Sequence, residues 1–170
     1  VTLPDHNVET YIPPEDVYGI LAAPPCTMFS MARTTAKTPR DLRQGMATVE
    51  ACLRIIWQCQ YGGKRLQFWT LENPVARLQW FLGKPTMIFD PSDYGDRHIK
   101  PTALWGNFNV NLKKSPAQLT EEEVARAKTN SRRLPKLPDG YLLPPDMNIT
   151  AAKRSMTPQG FAKAFMEANK

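Results

Sequence analysis

The chain has 170 residues, 42% hydrophobic and 22% charged. That suffices for one domain with a core, is short for two ordinary domains, and excludes wholesale disorder. No apolar run approaches the roughly 18 residues of a membrane span and no basic-then-apolar leader opens the chain, so a cytoplasmic protein is expected. Twenty-two Lys and Arg against 16 Asp and Glu leave a net charge of +6, an excess that suits a polyanionic partner. The chain opens on Val1 rather than Met, and a start further upstream is the expectation.

Residues 1–16 read as a polar, proline-bearing lead-in. Tyr18 to Ala23 is a short apolar run stopped by Pro24 and Pro25, the pattern of a buried strand. Residues 27–38 have no clear period and mix small polar and basic side chains, which predicts a loop. Thr38-Pro39 predicts a helix start, with Thr as cap and Pro in the first turn. Leu42, Met46, Val49, Leu53, Ile56 and Gln60 then step by three or four, with Ile55 and Cys59 widening the stripe. The helix is expected to run to about Tyr61 and stop at Gly62-Gly63.

Leu66 to Leu71 predicts a second strand ending in Glu72-Asn73-Pro74, followed by a short helix over 75–82 ending at Gly83. Thr86 to Phe89 and Thr102 to Phe108 predict two more strands, separated by the polar loop from Asp90 to Pro101. Strand–helix–strand alternation predicts an α/β fold with a mostly parallel sheet. Beyond residue 109 the chain is proline-rich and basic, with one helical stretch around Leu119–Thr129. Thr157-Pro158 opens a last helix with Phe161, Ala164, Phe165 and Ala168 on one face.

Three cysteines cannot form a fully paired disulfide framework, and without a CxxC pair zinc is not expected. Cys52 and Cys59 share one helix face and read as small buried hydrophobes. Cys26 differs: it follows Pro24-Pro25 where a strand stops. His6 and His98 leave little scope for a histidine-rich metal site. Trp57, Trp69, Trp80 and Trp105 lie in or beside apolar runs and read as core.

In open parallel sheets, ligands bind at the carboxyl ends of strands. Three clusters fall there: Ala23-Pro24-Pro25-Cys26, Leu71-Glu72-Asn73-Pro74, and the loop from Asp93 to Pro101 carrying Arg97, His98 and Lys100. A thiol, a carboxylate and basic side chains are thereby expected at one crevice. Each also has a plain structural reading, as a packed thiol, a helix-capping acid and a solvated turn.

LAAPPCTMFSMA followed by TLENP resembles the DNA cytosine-5 methyltransferases, whose signatures include a Pro-Cys nucleophile after one strand and a Glu-Asn pair after the next. DYGDRHIKPTALWGNF looks like a later family motif in a phage-type variant, and RSMTPQGFAKAF looks like the C-terminal segment of such proteins. The resemblance implies a partial Rossmann-like methyltransferase core over 1–108, a short basic target-recognition-like region over 109–156, and a C-terminal helix over 157–170 packing back on the core. It implies DNA as partner, S-adenosylmethionine as methyl donor, and a bacterial host or phage origin.

By resemblance Cys26 is the thiolate that adds to C6 of cytosine, making C5 a nucleophile toward the donor's methyl group. Glu72 assists at ring N3, which asks for a carboxyl holding a proton near neutral pH. Asn73 holds the loop geometry and Pro74 fixes the turn. Pro25, Ser30 and Thr27 flank the flipped base or its strand, and Ala23 and Pro24 edge the donor. In the later motif Lys100 stands in place of one Arg of the family pattern and Thr102 in place of another, with Arg97 a candidate substitute.

The Gly-rich opening and the acidic ribose-binding residue of the family have no counterpart before Tyr18. The expectation is a chain with an incomplete donor site and weak or no methyl transfer by itself. Its exposed first strand would then be covered by a missing N-terminal half or by a homo-oligomer. Lys113, Lys114, Arg126, Lys128, Arg132, Arg133, Lys136, Lys153 and Arg154 would neutralise phosphates. Glu121-Glu122-Glu123 reads as compensation of a helix dipole. Two other readings stand beside this one: a non-catalytic DNA-binding or partner-binding module derived from such an enzyme, and a thiol hydrolase pairing Cys26 with His98.

Overall fold

The computed structural model describes residues 7–31, 33, 36–62, 65–129, 140, 142 and 149–170, without the side chains of 126–129, 150, 151 and 154. The described residues divide into two compact units, Val1–Ile88 with Pro101–Val110 and Asn169, and Phe89–Lys100 with Asn111–Ala168 and Lys170.

The first unit holds the sheet. Strand β1 (Gly19–Ala22) leads through helix α1 (Leu42–Gly62) to β2 (Phe68–Pro74). A parallel pair needs a connection of a dozen residues or more, and α1 supplies it; β1 and β2 lie parallel, Ala22 opposite Leu71. A short helix, α2 (Gln79–Leu82), precedes β3 (Met87–Phe89), and β4 (Thr102–Asn107) follows. The strand order is β1-β2-β4-β3, and β4 runs antiparallel to β2.

The fold is therefore α/β, but the expectation of a mostly parallel sheet is corrected: only β1–β2 pairs in parallel. The connection from β3 to β4 contains only one 3₁₀ turn (Pro91–Tyr94), with no helix to carry the chain back for another parallel strand. Apolar periodicity marks each strand and is silent on its direction.

Three boundaries also move. The cap of α1 is Asp41 instead of Thr38, its Oδ1 accepting the Gln44 N–H at 2.9 Å. Thr38 is engaged elsewhere, its Oγ1 and carbonyl both taken by Arg33. Glu72-Asn73-Pro74 forms the last three positions of β2 instead of following it, because β4 continues the ladder through Asn73↔Ala103 and Pro74↔Thr102. The short helix begins at Gln79, after a turn from Val75, and ends as expected at Gly83, which has φ +74°.

The core of this unit joins Val49 and Cys52 of α1, Leu71 of β2, Ala103 and Trp105 of β4, Leu78, and Phe29 from the loop after Cys26. Burying a side chain the size of Phe29 contributes roughly 1.5–3 kcal/mol, so this residue anchors its loop. Cys52 and Cys59 are buried on α1, and burial pushes both thiols up from their ordinary pKa. Trp57 and Trp80 depart from the core reading, at 59% and 70% exposed, whereas Trp105 is buried. Trp57 follows buried Ile56, so the helical step turns it off the buried face.

In the second unit, the Phe161 ring stacks on Phe89 at 3.7 Å, and Tyr94 meets both edge-on. Phe161, Ala164 and Phe165 form the buried face of α5 (Gln159–Ala168). Gly160 is required: a Cβ there would lie 1.7 Å from the Tyr94 carbonyl oxygen. Helix α3 (Glu121–Thr129) opens with a capping box, Thr120 Oγ1 accepting the Glu123 N–H while Glu123 Oε2 accepts the Thr120 N–H. Helix α4 (Ile149–Ser155) lies where no helix was expected. Lys113 and Lys114 are exposed, and Lys114 pairs with Asp93 at 2.9 Å. Arg132, Arg133 and Lys136 lie outside the described residues, as do Gly63, His6 and the side chains of Arg126, Lys128 and Arg154.

Candidate functional site

The parallel register of β1 and β2 carries the Pro-Pro-Cys segment past the end of β1 beside the last residues of β2. There the Asn73 side-chain Nδ2 donates to the Pro24 carbonyl oxygen at 3.0 Å, in a buried bond. Asn73 is 1% exposed and Pro24 is buried. Among the described residues Asn73 Oδ1, also buried, takes no hydrogen bond, a cost the segment carries to keep this amide in place.

Two residues on, the Cys26 carbonyl accepts the N–H groups of Phe29 (2.9 Å) and Ser30 (2.8 Å), closing a tight turn. Phe29 plugs that turn into the core. Gly45 of α1 lets it approach, since a Cβ at that position would lie 2.8 Å from Met28 Cβ. Cys26 thus sits on a backbone fixed from both sides, through Pro24 before it and Phe29 after it. Its side chain is half-buried.

Glu72 is half-buried and stands opposite Leu104 in the ladder. Strand alternation puts it on the sheet face opposite Leu71 and Asn73, both of which are buried. Neither the thiol at 26 nor the carboxyl at 72 is sealed in packed hydrocarbon. Pro74 and Ser30 are half-buried; Ala23, Pro25 and Thr27 are exposed.

Ala23 and Pro24 bring no polar side chain to a methyl donor. Pro24 has no N–H and its carbonyl is committed to Asn73. These two residues do not by themselves fit an adenosyl group, which needs acceptors for its ribose hydroxyls.

Arg97, His98 and Lys100 belong to the second unit. Arg97 forms an ion pair with Glu123 and is largely exposed. His98 lies 3.8 Å from Asp96, and burial lowers its pKa while the Asp96 charge partly offsets that. Burial raises the Asp96 carboxyl. Lys100 is half-buried. Among the described residues no three His, Cys, Asp or Glu side chains are grouped to hold a metal, and no helix is long and apolar enough to cross a membrane.

Sequence reasoning passed over three arginines around the Cys26 turn. Arg40 donates to the Met28 carbonyl at 2.9 Å, Arg33 to the Thr38 hydroxyl at 2.8 Å and to Met28 Sδ, and Arg77 to Met31 Sδ at 3.1 Å. The basic residues of the 27–40 loop were visible in the sequence; that Arg77 reaches this loop across 46 positions was not.

A shallow groove of about 440 Å³ lies elsewhere in the first unit, lined by Ile12, Pro13, Pro14, Trp57 and Tyr61 among others. No family model matches this chain, and no curated protein matches it.

Proposed function

We propose that the chain is a DNA cytosine-5 methyltransferase-like domain in which Cys26 is the nucleophile and Glu72 the base-activating carboxyl. The observation that carries this reading is the buried bond from Asn73 to Pro24. It fastens the Pro-Cys segment to the Glu-Asn strand beside it, which supports reading the two motifs as parts of one site. The parallel β1-α1-β2 unit supports a partial Rossmann-like sheet with its ligand at those ends.

In this mechanism the Cys26 thiolate attacks C6 of a flipped cytosine. The S–C6 bond forms, the C5–C6 π pair becomes a C4–C5 double bond as the C4–N3 π pair moves onto N3, and Glu72 delivers a proton to N3 so that the ring does not carry the charge. S-adenosylmethionine supplies an electrophilic methyl group when bound. With a methyl group in place at C5, loss of the C5 proton to a base and return of the N3 proton to Glu72 would restore the π bond and release sulfur from C6 as the thiolate. Ser30, Thr27 and Pro25 flank the base. Because Ala23 and Pro24 bring no polar side chain to hold the donor, transfer by this chain alone is expected to be weak. The edge strand β1, with Leu21 61% exposed, is expected to pair with another strand, from a second copy or from a donor-binding polypeptide.

The test is an oligonucleotide with 2-pyrimidinone in place of cytosine, a ring that accepts a thiolate at C6 without a methyl donor. A covalent adduct by intact mass, lost in Cys26→Ser and slowed in Glu72→Gln, is the expected result. Salt-sensitive binding with no adduct would assign the chain to a non-catalytic DNA-binding module instead.

A further inference from the structure

We infer that Arg33, Arg40 and Arg77 form a binding site for a phosphate-class oxyanion beside the turn that carries Cys26. This does not rest on the methyltransferase reading; it follows from how the three guanidinium groups are satisfied.

All three grip the same short turn. Arg40 donates to the carbonyls of Met28 and Arg33, Arg33 to Met28 Sδ and to the backbone at Thr38 and Pro39, and Arg77 to Met31 Sδ. The Arg77 backbone N–H also bonds the Phe29 carbonyl. Among the described residues no carboxylate lies within ion-pair distance of any of them. Two of the three instead direct an N–H at a thioether, one of the weakest acceptors a protein offers.

A guanidinium donates five N–H groups in a planar fork suited to phosphate oxygens. Three such forks at one turn, with no carboxylate paired to them among the described residues, repel one another. Arg40 is held below its ordinary pKa chiefly by loss of solvent and then by the charges of Arg77 and Arg33. An oxyanion would relieve that repulsion and displace the thioethers. Met31 is 61% exposed, so the Arg77 contact opens readily to solvent.

The ligand is a phosphate group, and two sources share that chemistry: a phosphodiester of a single nucleic acid strand, and a free phosphate or phosphate monoester. The experiment separates them by titrating inorganic phosphate and, separately, an oligo-dT strand, which contains no cytosine. Binding is followed by isothermal titration calorimetry, a readout that does not pass through Arg77 and serves wild type and variants alike. Arg77→Gln is the first variant, since among the described residues its side chain hydrogen-bonds to exposed Met31 alone; Arg77→Lys keeps the charge.

The expected result is that oligo-dT binds, that Arg77→Gln weakens it about tenfold at low salt, and that the log–log salt slope falls by roughly 0.7, the contribution of one phosphate contact on a single strand. Arg77→Lys restores most of the slope. Binding of inorganic phosphate but not of oligo-dT, with the same loss in Arg77→Gln, supports the site and assigns it to a free phosphate. Unchanged affinity and slope in Arg77→Gln, with the variant folded by thermal melting, overturns the proposal. Absence of a cytosine adduct leaves this readout untouched, so failure here and failure of the methyltransferase reading are separate results.

Discussion

The Asn73 side-chain amide and the Pro24 carbonyl, 49 positions apart, form a buried hydrogen bond of 3.0 Å at the end of the one parallel strand pair. Proline leaves that carbonyl as the residue's only backbone polar group. Without Asn73 it would be orphaned in a region closed to water, and the Cys26 turn would lose its tie to β2.

Substitution at Asn73 should therefore act on stability and on the thiol together. Asn73→Ala leaves the Pro24 carbonyl unpaired, at about 1–3 kcal/mol, read as a lower urea midpoint with unchanged slope. Asn73→Asp is expected to be worse, because it sets a carboxylate against a carbonyl oxygen in a buried site. If both variants unfold at the wild-type urea concentration, the bond carries no structural weight.

The three thiols should separate by reactivity. Cys52 and Cys59 are buried on α1, and burial holds both above the ordinary thiol range, so their thiolates are scarce near neutral pH. Cys26 is half-buried on a loop. Limited iodoacetamide treatment of the native protein is expected to modify Cys26 first and close to completion before the others, by peptide mass spectrometry. Equal labelling of all three under native conditions would contradict the placement.

Gly160 should tolerate no side chain. A Cβ there meets a backbone carbonyl, that of Tyr94, and the carbonyl cannot rotate aside as a flexible side chain can. Replacing a helical glycine by alanine ordinarily gains about 1 kcal/mol of propensity. Overpacking here costs typically 1–3 kcal/mol, and backbone contact puts it at the upper end. Gly160→Ala is thus expected to lower the melting temperature, with disruption of the Phe89–Tyr94–Phe161 ring cluster visible in near-ultraviolet circular dichroism.

Much of the first unit was legible. The spacing of Val49, Ile56 and Cys59 announced α1, and Pro24 after an apolar run announced the end of β1. What stayed hidden depends on partners distant in sequence. The direction of β4 is set by which strand it meets. The Glu-Asn-Pro motif lies inside β2 because Ala103 and Thr102 continue the ladder there. Asp41 displaced Thr38 as helix cap because Arg33 had already claimed the threonine. Asn73 was named from resemblance as a residue that holds geometry; the atom it bonds to, the Pro24 oxygen, came only from the fold. The grip of Arg77 on the Cys26 turn had no local signal at all.

Acid should weaken the second unit through His98. Its side chain is 12% exposed and its pKa is depressed, mainly by burial, with the charge of Lys100 adding to this and those of Asp96 and Asp90 opposing it. The unfolded chain therefore takes up the proton first as pH falls. Stability from this group is full above the ordinary histidine value of about 6.5 and is lost as pH drops from there through the lower folded value. Asp96 acts with the opposite sign. Its folded pKa is raised, so the folded state takes up a proton first and stability rises as pH falls through that value toward the unfolded one. The urea midpoint is expected to decline as pH falls from about 7 to about 5, and His98→Gln should flatten that decline. Asp96→Asn should steepen it, because the lost carboxylate no longer draws a proton onto the imidazole. A flat wild-type profile, or one that His98→Gln leaves unchanged, would show that the imidazole is solvated well enough to titrate as it does in the unfolded chain.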